Sequence, residues 1–244
     1  MNAKIIPRLV AFAWSISFGA PCFAQGTFQN LDFESAIIPN GTQPGLVLVS
    51  NALPGWSVYY GISQMTQIYY NNLSLGSSRV NLVSSNDPSG ESAIEGNFGV
   101  IMQGGTTAAS VSIRQTGLVP DTAESIMFKA NLRGPVSLSL GGQNIQFTVI
   151  GSGPNYTLYG GNIPPSLAGQ IAELEFFAPH DSLPDTGWNL DSIMFSPSLI
   201  PEPGVLTIFT FFGLLLGVFG RRVRASHTFG RGSRQAVGDP FVTK

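Results

Sequence analysis

Between Gln25 and Pro197 apolar residues return at every second position in short runs, and turn residues separate the runs. Val111 and Ile113 alternate with Ser110, Ser112 and Arg114; Ile126, Phe128, Ala130 and Leu132 alternate with Met127, Lys129 and Asn131. A period of two places successive side chains on opposite faces of a strand, so each run buries one face and wets the other. Val136, Leu138 and Leu140 follow the same pattern, as do Ile145, Phe147 and Val149, and Gly141-Gly142 between them predicts a tight hairpin. Further turn clusters stand at 86–90, Gly104-Gly105, Pro120-Asp121, 151–154 and Gly160-Gly161. No amphipathic stretch of period 3.6 interrupts the series. The pattern predicts an all-β domain over 25–197, with about ten strands in two packed antiparallel sheets.

Both ends read differently. Residues 1–24 open with Lys4 and Arg8, continue with an apolar core from Leu9 to Phe18, and end on small residues, which predicts a secretory signal peptide cleaved after Ala24. Near the other end Val205 to Phe219 carries no charge, and Arg221, Arg222 and Arg224 follow at once. Fifteen residues of helix span about 22 Å, short of the roughly 30 Å hydrocarbon layer, and the arginines extend that reach by snorkelling to the headgroups. The reading is one transmembrane helix over 205–220, with its arginine side in the cytoplasm and the body outside. A polar tail, 225–244, follows without a pattern that calls for fixed structure.

Composition changes the picture in three ways. Charged residues make up only 11% of the chain, against about a quarter in an average globular protein. The charges are also segregated: twelve acids face four bases between Gln25 and Ile200, a net −8, while the remaining bases gather beside the two apolar runs. That distribution suits a membrane topology signal and speaks against nucleic acid as a partner, because phosphate binding needs a basic face. Finally, Cys22 is the single cysteine, and cleavage after Ala24 removes it, so no disulfide or thiolate chemistry remains for the body.

Two resemblances follow from these residues. The order Pro201-Glu202-Pro203, apolar helix, then Arg221, Arg222 and Arg224 resembles the PEP-CTERM sorting signal of exopolysaccharide-producing Gram-negative bacteria, here over 200–224. The resemblance implies recognition by a membrane-embedded exosortase after passage through the secretion machinery, and release or attachment at the cell surface. Members of that family usually end soon after the arginines, whereas this chain continues to Lys244. The body resembles galactose-binding-like jelly rolls through Asn30-Leu31-Asp32-Phe33-Glu34, Leu53-Pro54-Gly55-Trp56, 112–118 and Trp188-Asn189-Leu190-Asp191-Ser192-Ile193. That likeness implies an antiparallel jelly-roll sandwich, and a structural Ca²⁺ held by Glu34 and Asp191 with backbone carbonyls completing the shell; otherwise both are ordinary carboxylates.

Candidate chemistry in the body is sparse. His180 is its one histidine, and no nucleophile elbow, zincin or phosphate-loop pattern occurs. Glu173 and Glu175 share one strand face opposite Leu174 and Phe176, as a solvated sheet face would, and Glu91 and Glu95 form a second acidic pair. Trp56, Tyr60 and Trp188 could stack on sugar rings or fill a sandwich core, and the second reading is favoured. Adjacent tyrosines at 59–60 and 69–70 must point to opposite faces. The expectation is a non-enzymatic exported protein of the cell surface or extracellular matrix; the alternative is an anchored carbohydrate-binding module or carbohydrate-active enzyme, with exopolysaccharide as ligand.

Overall fold

The computed structural model describes residues 27–72, 77–87, 91–106, 109–180 and 186–201. The signal peptide with Ala24, the sorting residues Glu202, Pro203, Arg221, Arg222 and Arg224, the apolar run 205–220 and the tail lie outside them, and Pro201 is exposed at their edge. Among the described residues no helix is long and apolar enough to cross a membrane.

The body, 27–198, is an all-β sandwich of two sheets. Its strands are β1 (Gly45–Leu48), β2 (Ser57–Tyr60), β3 (Ser63–Met65), β4 (Gln67–Tyr70), β5 (Arg79–Ser84), β6 (Phe98–Gln103), β7 (Val111–Leu118), β8 (Ser125–Arg133), β9 (Ser137–Leu140), β10 (Gln143–Asn144), β11 (Thr148–Ser152), β12 (Thr157–Asn162), β13 (Ile171–Ala178) and β14 (Gly187–Ser196). One sheet runs β1-β4-β5-β6-β14-β8-β12-β11 and the other β10-β9-β13-β7-β2-β3. A single helical turn, α1 (Val49–Ala52), follows β1.

Alternation builds the core as expected. Ile126, Phe128 and Ala130 of β8, Ala172, Leu174, Phe176 and Ala178 of β13, and Trp188 and Leu190 of β14 are buried, and the residues between them point outward. The layers lock through aromatic rings: Phe176 of one sheet meets Phe128 and Trp188 of the other at centroid distances of 5.5 and 5.2 Å, near perpendicular. Edge-to-face pairs of this kind contribute about 0.5–1.5 kcal/mol each beyond their buried area. Trp56 joins the same cluster through Phe33 and Phe176.

The hairpin at Gly141-Gly142 forms, with both glycines at positive φ (58° and 72°), the conformation a two-residue hairpin turn requires. The run after it does not remain one strand. Gln143 and Asn144 pair with β9, then the chain crosses, so that β11 pairs with β12 at the edge of the other sheet. The buried side chain of Ile145 and the partly buried ring of Phe147 lie at this crossing and pack against the interior between the sheets. Among the described strands the pairs are antiparallel except β4 and β5, which are parallel over Tyr69↔Asn81 and Tyr70↔Leu82; Thr27 also makes a parallel bridge to Leu118. The β4–β5 match is that short because Asn71, at φ 45°, turns the chain away; its side chain accepts from Ser84 N and donates to Ser84 Oγ, both at 2.8 Å.

Candidate functional site: the covered face of the eight-stranded sheet

Polar residues on the outer face of a sheet normally meet water. In the middle of the eight-stranded sheet some of them are partly withdrawn from it, because the segment 91–97 lies across β14 and β8. Two carboxylates hold it there. Glu34 Oε1 accepts from the backbone N–H of Asn97 (2.8 Å) and Phe98 (2.9 Å), and Oε2 accepts from the Asn97 side chain (3.0 Å). Asp191 Oδ2 accepts from Glu95 N (3.0 Å) and Oδ1 from Ser192 N (2.7 Å). Gly96 makes this turn possible: its φ is 62°, and a Cβ there would run into the Glu34 carboxylate.

Asp191 is 1% exposed. Burial pushes its pKa up to about 7, against the pull of the two backbone donors, and the neighbouring carboxylates Glu34 and Glu95 add to the rise. Glu95 moves the opposite way: the hydrogen bond from Lys129 holds it below the usual carboxylate range, helped by the Ser192 hydroxyl at 2.7 Å. The backbone is distorted at the same place. β14 carries a bulge between Asp191 and Met194, Ser192 has φ 48°, and Asn30 and Phe33 of the opening segment have φ 51° and 60°.

The resemblance-based calcium expectation can be weighed on this geometry. Glu34 and Asp191 do act on one loop, but the groups facing their oxygens are N–H donors, the positive ends of dipoles, where a Ca²⁺ shell needs six to eight oxygens. Among the described residues no three His, Cys, Asp or Glu side chains gather as a metal set. As arranged, the pair fits a clamp on the loop and does not fit a resident calcium ion.

The aromatic residues named as sugar contacts require correction. Trp188 is 1% and Trp56 5% exposed, and each indole N–H donates to a core-side carbonyl, of Phe177 and Asn30 respectively, at 3.0 Å. A ring enclosed on both faces cannot stack on a ligand. Tyr60 packs against the core and its hydroxyl accepts from Val80 N at 2.9 Å. Alternation sends the adjacent tyrosines outward, where Tyr59 lies under the Arg114 guanidinium and Tyr69 under that of Arg79. The acidic pairs part ways too. Glu175 meets Arg114 at 2.8 Å on the six-stranded sheet and Glu173 stands exposed beside it, while Glu91 and Glu95 pair with Arg133 and Lys129 of β8 on the covered face. His180 is exposed.

Beside the clamp, β6, β14 and β8 form a hollow of about 150 Å³ lined by Glu91, Ile101, Gln103, Asn131, Arg133 and Asn189 around Gly187. Register explains the grouping. Gln103, Gly187 and Arg133 lie in one row across the three strands, and Ile101, Asn189 and Asn131 in the next row on the same face. Sequence patterning reveals that Asn189 opposes Trp188 and that Lys129, Asn131 and Arg133 share a face; it cannot reveal which strands become neighbours. A wider, more open depression lined by Phe28, Asp32, Lys129, Ser192 and Met194 lies on the other side of the clamp.

No protein-family model matches the chain, and no curated protein matches its sequence.

Proposed function

We propose that this chain is a non-enzymatic exported protein of the bacterial cell surface or extracellular matrix, built as a jelly-roll sandwich between two targeting segments. The signal peptide is removed after Ala24. The segment from Pro201-Glu202-Pro203 through the helix 205–220 to Arg221, Arg222 and Arg224 anchors the protein in the inner membrane at least transiently and presents it to an exosortase. The observation that carries the non-enzymatic reading is how the body's charges are spent. Glu91, Glu95 and Glu175 sit in ion pairs, and Glu34 and Asp191 hold backbone N–H groups, so these acids serve the fold. The charge segregation along the sequence supports the topology. A second reading, an anchored sugar-binding module, is favoured by the polar hollow on β6, β14 and β8.

Intact mass spectrometry of the cell-associated and secreted protein tests the sorting. The expected species begins at Gln25 and, once processed, lacks everything beyond the Pro201-Glu202-Pro203 region. A mature species that retains both Met1 and Lys244 would overturn it.

A further inference from the structure

We propose that β1, at the margin of the eight-stranded sheet, is a self-association edge through which two copies of this chain pair antiparallel about a two-fold axis. The inference concerns how displayed bodies meet one another, and it stands apart from the sorting route: a failed mass-spectrometric test of export leaves it untouched.

Main-chain geometry comes first. β1 pairs with β4 on one side, and among the described residues no strand pairs with its other side. Just past the strand, Val49 N–H donates to Thr66 O at 3.0 Å, which continues the β1–β4 register by one residue. The polar groups of an antiparallel strand alternate in direction, so Val47 and Gly45 also turn theirs toward β4. The N–H and C=O groups of Leu46 and Leu48 therefore point the opposite way, into the free edge. An axis at Val47 sets Leu46 of each copy opposite Leu48 of the other. Each of these pairs exchanges both of its N–H···O=C bonds, so the edge complements itself with no shift in register.

Charge and apolar surface select the same occupant. The body carries a net −8, so like bodies repel wherever their acids face one another. No residue from 35 to 78 is charged, and β1 lies inside that stretch. The first charge met inward along the sheet is the buried Arg79 of β5, two strands away. Two copies can therefore meet at β1 without bringing acids together, whereas a basic partner would find nothing there to attract it. Leu46 and Leu48 are 57% and 49% exposed, and the two-fold pairing sets leucine against leucine on one face, where opposed side chains support each other. Ile37, whose N–H donates to Asn51 O at 2.7 Å, adds an exposed apolar side chain beyond the strand's end. The remaining edges are blunted: β11 carries a bulge between Val149 and Gly151, β3 presents the exposed polar residues Ser63 and Gln64, and β10 is two residues long. β1 has no bulge, charge or internal proline. A two-fold contact uses up both edges, so association stops at the dimer.

The test is sedimentation equilibrium of the full chain in a density-matched zwitterionic detergent. The parent is expected to show a monomer–dimer equilibrium. Leu46→Lys combined with Leu48→Lys sets like charges opposite one another across the axis and should weaken the dimer about tenfold or more. Leu46→Lys combined with Leu48→Glu sets opposite charges there and should recover most of that loss, a result that reads the register and that a merely apolar contact would not give. Ile62→Lys, at the exposed turn between β2 and β3, leaves the equilibrium unchanged. Melting curves accompany each variant; if the double-lysine chain does not fold, Leu46→Lys alone decides. A parent that stays monomeric would leave the edge to a strand of another protein and overturn the proposal. So would a folded lysine variant that dimerises as the parent does, as it would if the apolar run 205–220 held the copies together, or a lysine–glutamate variant that stays as weak as the double lysine.

Discussion

On the outer face of the six-stranded sheet Glu173 stands in solvent and Glu175 meets Arg114 with both side chains partly exposed. On the outer face of the eight-stranded sheet Asp191 is 1% exposed; one of its oxygens takes the Glu95 N–H of the loop that lies over it and the other the N–H of its strand neighbour Ser192. The two faces use the same residue types in the same alternation. One is an ordinary solvated surface. The other is a polar layer taken partly out of water, where each group must find a partner, and where Asn189, Arg79 and Asn81 each keep a buried atom without one. What separates them is the cover, residues 91–97, and the cover is a loop that alternation does not describe. A polar face therefore turns from a solvated surface into part of the fold when a loop lies across it, and any hydrogen bond left unmade there carries a cost.

The layer that both faces share sets the largest effect. Trp188→Ala removes a ring that contacts Phe128, Phe147 and Phe176, and should cost about 3–5 kcal/mol, read as a fall in the denaturant midpoint at unchanged slope. A cost below about 1 kcal/mol would mean that the ring is not packed in the core, and would restore Trp188 as a candidate surface contact.

The strands and their inward faces were legible because alternation is a local property: Ile126, Phe128 and Ala130 declare their side without reference to any other strand. The hairpin at Gly141-Gly142 was legible for the same reason. The crossing at Ile145–Phe147, the parallel pair β4 and β5, and the hollow were not, because each depends on which strands become neighbours. Gln103, Gly187 and Arg133 come together from positions far apart in the chain. For Trp56 and Trp188 the sequence left sugar contact open beside the favoured core reading, because an aromatic residue looks alike in sequence whether its ring is enclosed or open.

The covered face should also be the pH-sensitive one. Below about pH 3.8 Asp191 is protonated in both the folded and the unfolded chain. Between pH 3.8 and about 7 the unfolded chain releases the proton while the folded chain keeps it, so stability falls as pH rises, and above about pH 7 the loss is complete. Three pKa units correspond to about 4 kcal/mol at most. Asp191→Asn removes this slope. It also turns an NH₂ group toward the N–H of Glu95 or Ser192, which costs about 1–3 kcal/mol at every pH. Urea melts of parent and variant across this range isolate the term by difference. Equal slopes in the two proteins would place the titration on another group.

The smallest effects come from a matched pair of truncations, one on each face. Glu34→Ala strips the N–H groups of Asn97 and Phe98 of their acceptor and loosens the cover, and should cost about 2 kcal/mol. Because those donors already hold the carboxylate, adding calcium or a chelator should leave the parent's melting midpoint where it is; a rise with calcium would show that the clamp reads the wrong ligand. Glu173→Ala removes an exposed carboxylate on the open face, and should change stability by no more than about 0.5 kcal/mol. Arg114→Ala, which ends a partly exposed ion pair and uncovers the Tyr59 ring, should fall between the two at about 1 kcal/mol or less. Equal costs for Glu34→Ala and Glu173→Ala would erase the distinction between the faces, since the expected difference rests on the two backbone N–H groups of the cover that the Glu34 carboxylate holds.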